Sequence, residues 1–283
     1  MKNASKKRFL ILWGCLLVCM LVGIILIPGQ EKHETIKEVM RDAVLHEANK
    51  VSLFGVKDVN PALISAFTVT GVLLVAAVLI RLLVIPKFKN VPGKFQLVLE
   101  TLVSFFDDLA KSNSPHRNRF LSVYLFSAGV FIFVGTIFEL FGLQVTTTHG
   151  IQMAMPAPLS DINAAIMLGC LSYFVIMSGG IAGNGISGIG KTLKEFSLPI
   201  SMSFRLFGAL LSGLMVTELV YFFKPLSFVL PVVVAVMFTL LHALIQTYVL
   251  TMLAALYYGE VSEHHEKVKK EKKKVNKEEQ AAA

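Results

Sequence analysis

The sequence is poor in charge. Only 16% of its 283 residues are Asp, Glu, Lys or Arg, against 54% hydrophobic, a balance too apolar for a soluble domain of this length. Mean hydropathy is +0.66, and the chain reads as an all-α integral membrane protein. Cysteine is as scarce. Cys15, Cys19 and Cys170 all fall inside apolar runs, where a thiol behaves as a small hydrophobe, so neither a disulfide framework nor a metal site is indicated, although Cys15 and Cys19 would share a helix face. The formal net charge is +8, and its largest cluster is the tail "EKVKKEKKKVNKEE". Lysines alternate there with glutamates, and no aromatic ring is available to stack on a base. Such a tail argues against nucleic acid as a partner and fits a solvated cytoplasmic segment near anionic membrane lipid.

The stretch "GISGIGKT", Gly185 to Thr192, matches the phosphate-loop template G-x-x-x-x-G-K-[ST], which works only between a buried strand and the start of a helix. Neither flank fits. Upstream, "AAIMLGCLSYFVIMSGGIAG" is an uncharged run long enough to cross a bilayer. Downstream, Pro199 follows within eight residues of Lys191, cutting short the helix that would hold the phosphate. The overlapping glycines at 183, 185 and 188 lack a βαβ unit. GISGIGKT therefore reads as a glycine-rich turn between membrane helices, not a nucleotide site.

Six hydrophobic segments are long enough to span: Phe9 to Ile27, Ala62 to Ile85, Phe120 to Phe138, Ile162 to Ile181, Phe196 to Phe223 and Leu226 to Tyr258. The first follows Lys6, Lys7 and Arg8 like a signal peptide, but no small-x-small cleavage site precedes "IPGQEKHE", which favours a retained helix over a cleaved leader. Lysine and arginine gather in the N-terminal tail, the second-to-third and fourth-to-fifth connections and the C-terminal tail. The positive-inside rule puts those in the cytoplasm, with both termini. At 1.5 Å per residue the fifth segment would be roughly 42 Å long and the sixth roughly 48 Å, against about 30 Å of hydrocarbon. They must tilt steeply, bend or protrude. Between the second and third segments, "KFQLVLETLVSFFDDLAK" spaces apolar residues helically with charges opposite, as suits a helix in the cytoplasmic interface or one packed on a partner subunit.

Arg205 is the charge out of place. It has more than a turn of apolar residues on each side in "SLPISMSFRLFGALLSGLMVTELVYFF", where an arginine costs about 2.5 to 3.5 kcal/mol even on lenient insertion scales. A buried ion pair and a charge on an ion path are the two readings. Glu218 lies thirteen residues on, about 220° around the helix, so it cannot be the partner. Ser201, Ala209 and Ser212 share the arginine's stripe, and Gly208 and Gly213 would let another helix approach closely. Thr239, His242 and Gln246 recur at three- and four-residue spacing in the sixth segment. Together they favour a wet or partner-facing surface.

"PISMSFRLFG", around Arg205, and "ALIQTYVLTMLAALYYGE", with Gln246, resemble the signatures of subunit a of the rotary F-type ATP synthases. Weaker matches are "PAPLSDIN", with Asp161 and Asn163, "VPGKFQLVLETL", with Gln96 and Glu100, and "FELFGL". They run in the family's order from about Asn60 to Glu260. The resemblance implies about six transmembrane helices, the last two long and steeply tilted against a rotating ring of c subunits. It implies b-type peripheral stalk subunits as further partners, a place in a bacterial plasma membrane, no cofactor, and ion translocation without a catalytic nucleotide site, the ion read as a proton with sodium as the alternative, since Ser201, Ser212 and Thr239 suit water wires or sodium ligands alike. By position, Arg205 would separate two half-channels, with Gln246 its neighbour across the helix pair. There are departures. Ala209 stands at the family's usual asparagine. Glu218 lies one turn beyond Leu214, where some members carry an acid, and His242 one turn beyond Thr239, where some carry histidine. Glu139 stands at the usual asparagine before "LFGL". Glu195 is the nearest acid for the cytoplasmic half-channel. On this reading residues 1–61 are an extra membrane helix with its outside loop, 62–260 the subunit a-like domain and 261–283 the basic tail. One rival is a secondary transporter with a midplane charged site; it predicts an internal repeat, and none is visible between the halves. The other is a non-transporting membrane scaffold, in which Arg205 is merely structural and its removal harms assembly rather than conduction.

Overall fold

The structure, a computed structural model, describes residues 50–53, 56–146, 152–223 and 230–263, together with a helical run at 11–16 and scattered helical positions between Lys6 and Arg41. Described positions of the expected first span, Phe9 to Ile27, are helical and exposed. The lysine-rich tail beyond Glu263 lies outside the described residues. Seven helices follow: α1 Pro61–Leu79, α2 Lys94–Asn113, α3 Asn118–Phe138, α4 Ile162–Asn184, α5 Ile186–Lys194, α6 Ser197–Phe222 and α7 Leu230–Ser262. Five stretches among the described residues are long and apolar enough to cross a bilayer: Pro61–Lys87, Asn118–Phe141, Ile162–Asn184, Ser197–Thr217 and Val232–Ser262.

The helix ends follow local chemistry. Asn60 opens α1 by accepting a hydrogen bond from the Ala62 N–H at 2.9 Å, with Pro61 at a position that needs no donor. The same span ends in a π-helical stretch, Ile80–Val84, and a 3-10 turn, Ile85–Lys87. Pro86 accounts for both, because it offers no N–H to the Leu82 carbonyl and its ring crowds that oxygen. Gly185, at φ 63°, turns the chain between α4 and α5 in a conformation that a side chain would strain.

Two antiparallel hairpins were not foreseen in the sequence. β1 (Val51–Leu53) pairs with β2 (Val56–Val59), and β3 (Gln144–Thr146) with β4 (Gln152–Ala154) in the register Val145 to Met153. Strands of three or four residues carry too little alternation to announce themselves, although valine and threonine favour them.

The interior runs through α3, α4, α6 and α7, where Leu121, Leu125, Ile176, Met202, Ala254 and Tyr258 form one buried cluster. Lipid tails are as apolar as leucine, so close approach rather than burial from water holds such helices together. A methyl group on Gly188 would overlap the Gly180 carbonyl, and one on Gly259 would overlap that of Asn113. Polar groups are matched across other contacts: between α3 and α4 the Tyr124 and Ser172 hydroxyls lie 2.7 Å apart, and at the end of α4 Asn184 Nδ2 donates to the Val261 and Glu263 carbonyls at 2.8 and 2.9 Å. The amphipathic helix α2 buries Phe106 and Ala110 in that cluster. Its apolar stripe is therefore used partly within this chain, while Leu97, Val98 and Val103 remain exposed.

Candidate functional site

Helices α6 and α7 build the site. With 26 and 33 residues they are about 39 and 50 Å long at roughly 1.5 Å per residue, both longer than about 30 Å of hydrocarbon. Pro199 sits in the first turn of α6, where a missing N–H costs little. Met202, Ser203, Leu206 and Leu210 form the buried face of α6, and Leu206 and Leu210 join a cluster with Ala165 and Leu168 of α4 and Leu250 of α7. The opposite face presents Ser201, Phe204, Arg205, Gly208 and Ser212, all exposed. Arg205 has no ion pair among the described residues.

The polar stripe of α7 turns the other way. A Cβ on Gly213 would lie 3.5 Å from His242 Nδ1, so that imidazole packs on α6. Gln246 is 7% exposed, and its Oε1 has no hydrogen-bond partner. Thr239 and His242 are half-buried, with the His242 ring centroid 5.8 Å from that of Phe238. On this side of α7 the neighbour of His242 is α6 itself, while Leu240, Leu241, Leu244, Ile245 and Tyr248 take the exposed positions. With His242 opposite Gly213 and Leu250 clustered with Leu206, Gln246 falls level with Ala209, about one turn from Arg205. Gly208 differs from Gly213, since a Cβ there would meet nothing within 4 Å.

The remaining candidates are scattered. Asp161 caps α4, accepting from the Asn163 backbone N–H and from its Nδ2, both at 3.3 Å. The adjoining 3-10 turn Pro158–Ser160 packs on α1, α3, α4 and α6. Glu195 is half-buried in the turn joining α5 to α6, its N–H bonded to the Thr192 carbonyl at 3.0 Å. The backbone of Glu218 belongs to α6, but its side chain lies outside the described ones. Glu139 is half-buried in the 3-10 turn that ends α3. For GISGIGKT, α4 rather than a strand precedes Gly185, and the motif continues as α5.

One group escaped sequence reasoning. Thr247 has a buried Oγ1 without a partner, and it lines an apolar cavity of about 590 Å³ between α2, α3 and α7. Its side chain points away from the polar stripe, and periodicity alone gave no signal of it.

A family model described as ATP synthase A chain matches residues 65–259. The chain belongs to that family. It is also 30% identical over 224 residues to "ATP synthase subunit a, chloroplastic" of Bigelowiella natans, covering 72% of this chain and 86% of that one. As a member of the ATP synthase A chain family it is a multi-pass, predominantly helical integral membrane protein of the Fo sector, and it works together with the other Fo subunits. Family membership makes the outward face of α6 notable: it carries Arg205 in a helix that crosses the membrane, with no counter-charge described in this chain.

Proposed function

We propose that this chain supplies two ion half-channels to a ring of c subunits, with Arg205 separating them. The observation that carries the reading is the exposure of Arg205 on a membrane-spanning helix without an ion pair in the described chain. An unpaired charge at that depth is costly, so its partner is a carboxylate presented by another subunit. Guanidinium stays protonated. Arg205 therefore attracts each ionised ring carboxylate in turn but cannot pass its proton on, and ions do not leak from one half-channel to the other.

In this scheme a proton enters from outside, neutralises a ring carboxylate, rides almost a full turn in lipid and leaves to the cytoplasm. The driving force is about 2.3 kcal/mol per charge for each 100 mV. Gln246, His242 and Thr239 line the α6–α7 seam, with Glu218 as the acid of one half-channel and Ser201 and Ser212 flanking the arginine. Asp161 and Asn163 serve the outer side and Glu195 the cytoplasmic exit. Residues 62–260 form the conducting domain, 1–61 an added helix and outer loop, and 261–283 a cytoplasmic tail. The complex sits in a bacterial plasma membrane with both termini inside, and b-type stalk subunits hold the chain against the turning ring.

The test is ATP-driven acidification of vesicles carrying Arg205→Ala, with assembly verified by pull-down and sodium varied. Coupled pumping should fall to background in an assembled complex. Normal pumping in that complex would make the arginine a structural charge and end the half-channel reading, whereas failed assembly with residual conduction would point to a scaffold role.

A further inference from the structure

Away from the ion path, an open cavity of about 670 Å³ lies where the first described span ends and α2 begins. Lys87, Lys89 and Lys94 line it, and no acidic residue does. Its walls also include Leu83, Val84 and Phe95, and the neighbouring surface of the span, Leu79, Leu82 and Ile85, is exposed and apolar. The loop is not slack. Gln96 Oε1 accepts from the Lys89 N–H at 3.1 Å, and its Nε2 donates to the Lys89 carbonyl at 3.0 Å and to Glu100 Oε1 at 2.7 Å. That amide holds the loop backbone and binds the Glu100 carboxylate, and none of the three lysines is in an ion pair among the described residues.

We propose that this cavity binds an anionic phospholipid, its phosphate held by Lys87, Lys89 and Lys94 and its acyl chains lying along Leu83, Val84 and Phe95. Three like charges around one cavity repel one another unless an anion neutralises them. The end of a hydrophobic span sets the depth at which lipid phosphate stands, and apolar walls beside the lysines favour a tailed anion over a free one. The site fits a lipid rather than an acidic protein segment because the exposed apolar surface of Leu79, Leu82 and Ile85 continues up the spanning helix beside it.

Native mass spectrometry of the assembled membrane sector, purified with equal phosphatidylglycerol and phosphatidylcholine, reads the site directly. The unmodified complex should retain phosphatidylglycerol preferentially. The triple variant Lys87→Gln, Lys89→Gln, Lys94→Gln should lose that preference by up to roughly a hundredfold, each lysine near a membrane surface contributing about fivefold. The same positions as arginine should keep it. If the triple variant fails to assemble, Lys89→Gln alone should still show a severalfold loss. Lys191→Gln with Lys194→Gln, altering another basic segment, should not change retention. The proposal is overturned by equal retention of the two lipids, by unchanged retention in the triple variant, or by displacement of the lipid by millimolar inorganic phosphate, which would mark a free-anion site. A partner subunit protecting these lysines from labelling in the lipid-free complex would overturn it as well. Because the readout is lipid retention, its failure leaves the role of Arg205 untouched.

Discussion

Helices α6 and α7 each carry a polar stripe, and the two stripes meet opposite fates. On α6, Ser201, Arg205, Gly208 and Ser212 face outward. On α7, Thr239, His242 and Gln246 face α6, and Gln246 is almost fully enclosed. The difference follows from what each group needs. An amide or a neutral imidazole can be enclosed in a helix seam at a cost of a few kcal/mol at most. A guanidinium cannot lose its charge, so enclosing it without a partner costs far more. The inward stripe is thus covered within the chain, although Gln246 Oε1 keeps no hydrogen-bond partner there, while the outward one lies uncovered in this chain, as the proposed contact with another subunit requires.

The two glycines on α6 offer the strongest way to break that comparison. Gly213→Leu drives a side chain into His242 and should lower the stability of the purified chain by about 1 to 3 kcal/mol, the usual cost of overpacking. Gly208→Leu meets only open space and should stay within about 0.5 kcal/mol, yet coupled pumping in the assembled complex should collapse. Thermal melts in detergent, set beside vesicle acidification, separate the two. Equal destabilisation by both variants would mean that the outward face is not free in this chain.

A smaller effect is expected at Gln246. Replacing it with leucine removes a buried acceptor that has no partner, so the chain should gain up to about 1 kcal/mol in a detergent melt. Coupled transport should fall at the same time. Opposite signs in the two measurements would identify the amide as kept for function; a loss of both would assign it a hydrogen bond within the seam.

Much of this architecture was readable beforehand. Four of the six segments inferred from apolar run length reappear with ends displaced by a few residues, the sixth begins at Leu230 among the described residues, and the described positions of the first are helical. Composition served well here because an uncharged run of some twenty residues has few other fates. Arg205 was legible for the same reason. The facing of the α7 stripe was not: spacing shows that Thr239, His242 and Gln246 share a side, but only packing decides whether that side looks at α6 or away. Asp161 illustrates a second gap, since a motif match marks the residue without showing that its carboxylate caps α4. The hairpins and the lysine-lined cavity depend on contacts between segments that no local pattern records.

The smallest effect concerns a charge pair outside the spans, and it tests the premise that water, not charge itself, divides the two stripes. Asp107 and Lys111 pair one turn apart on α2. The hydrogen bond from Lys111, helped by Ser122, holds the Asp107 carboxyl below its ordinary range, while Asp107 raises Lys111 above its own. A lowered folded-state value means that the aspartate's contribution is complete above the ordinary carboxylate range and fades as pH falls through the lowered one. The lysine's raised value works at the other end, its contribution being complete below the ordinary lysine range and lost as pH rises through the raised one. Lys111 is exposed and Asp107 half-buried at the surface, so screening leaves little net stabilisation. Asp107→Asn should therefore barely shift the melt at neutral pH and slightly flatten its acid limb between about pH 5 and pH 2, with added salt erasing the difference. A large neutral-pH loss would show that the pair is screened far less than its position at the surface implies, and that charge itself divides the two stripes.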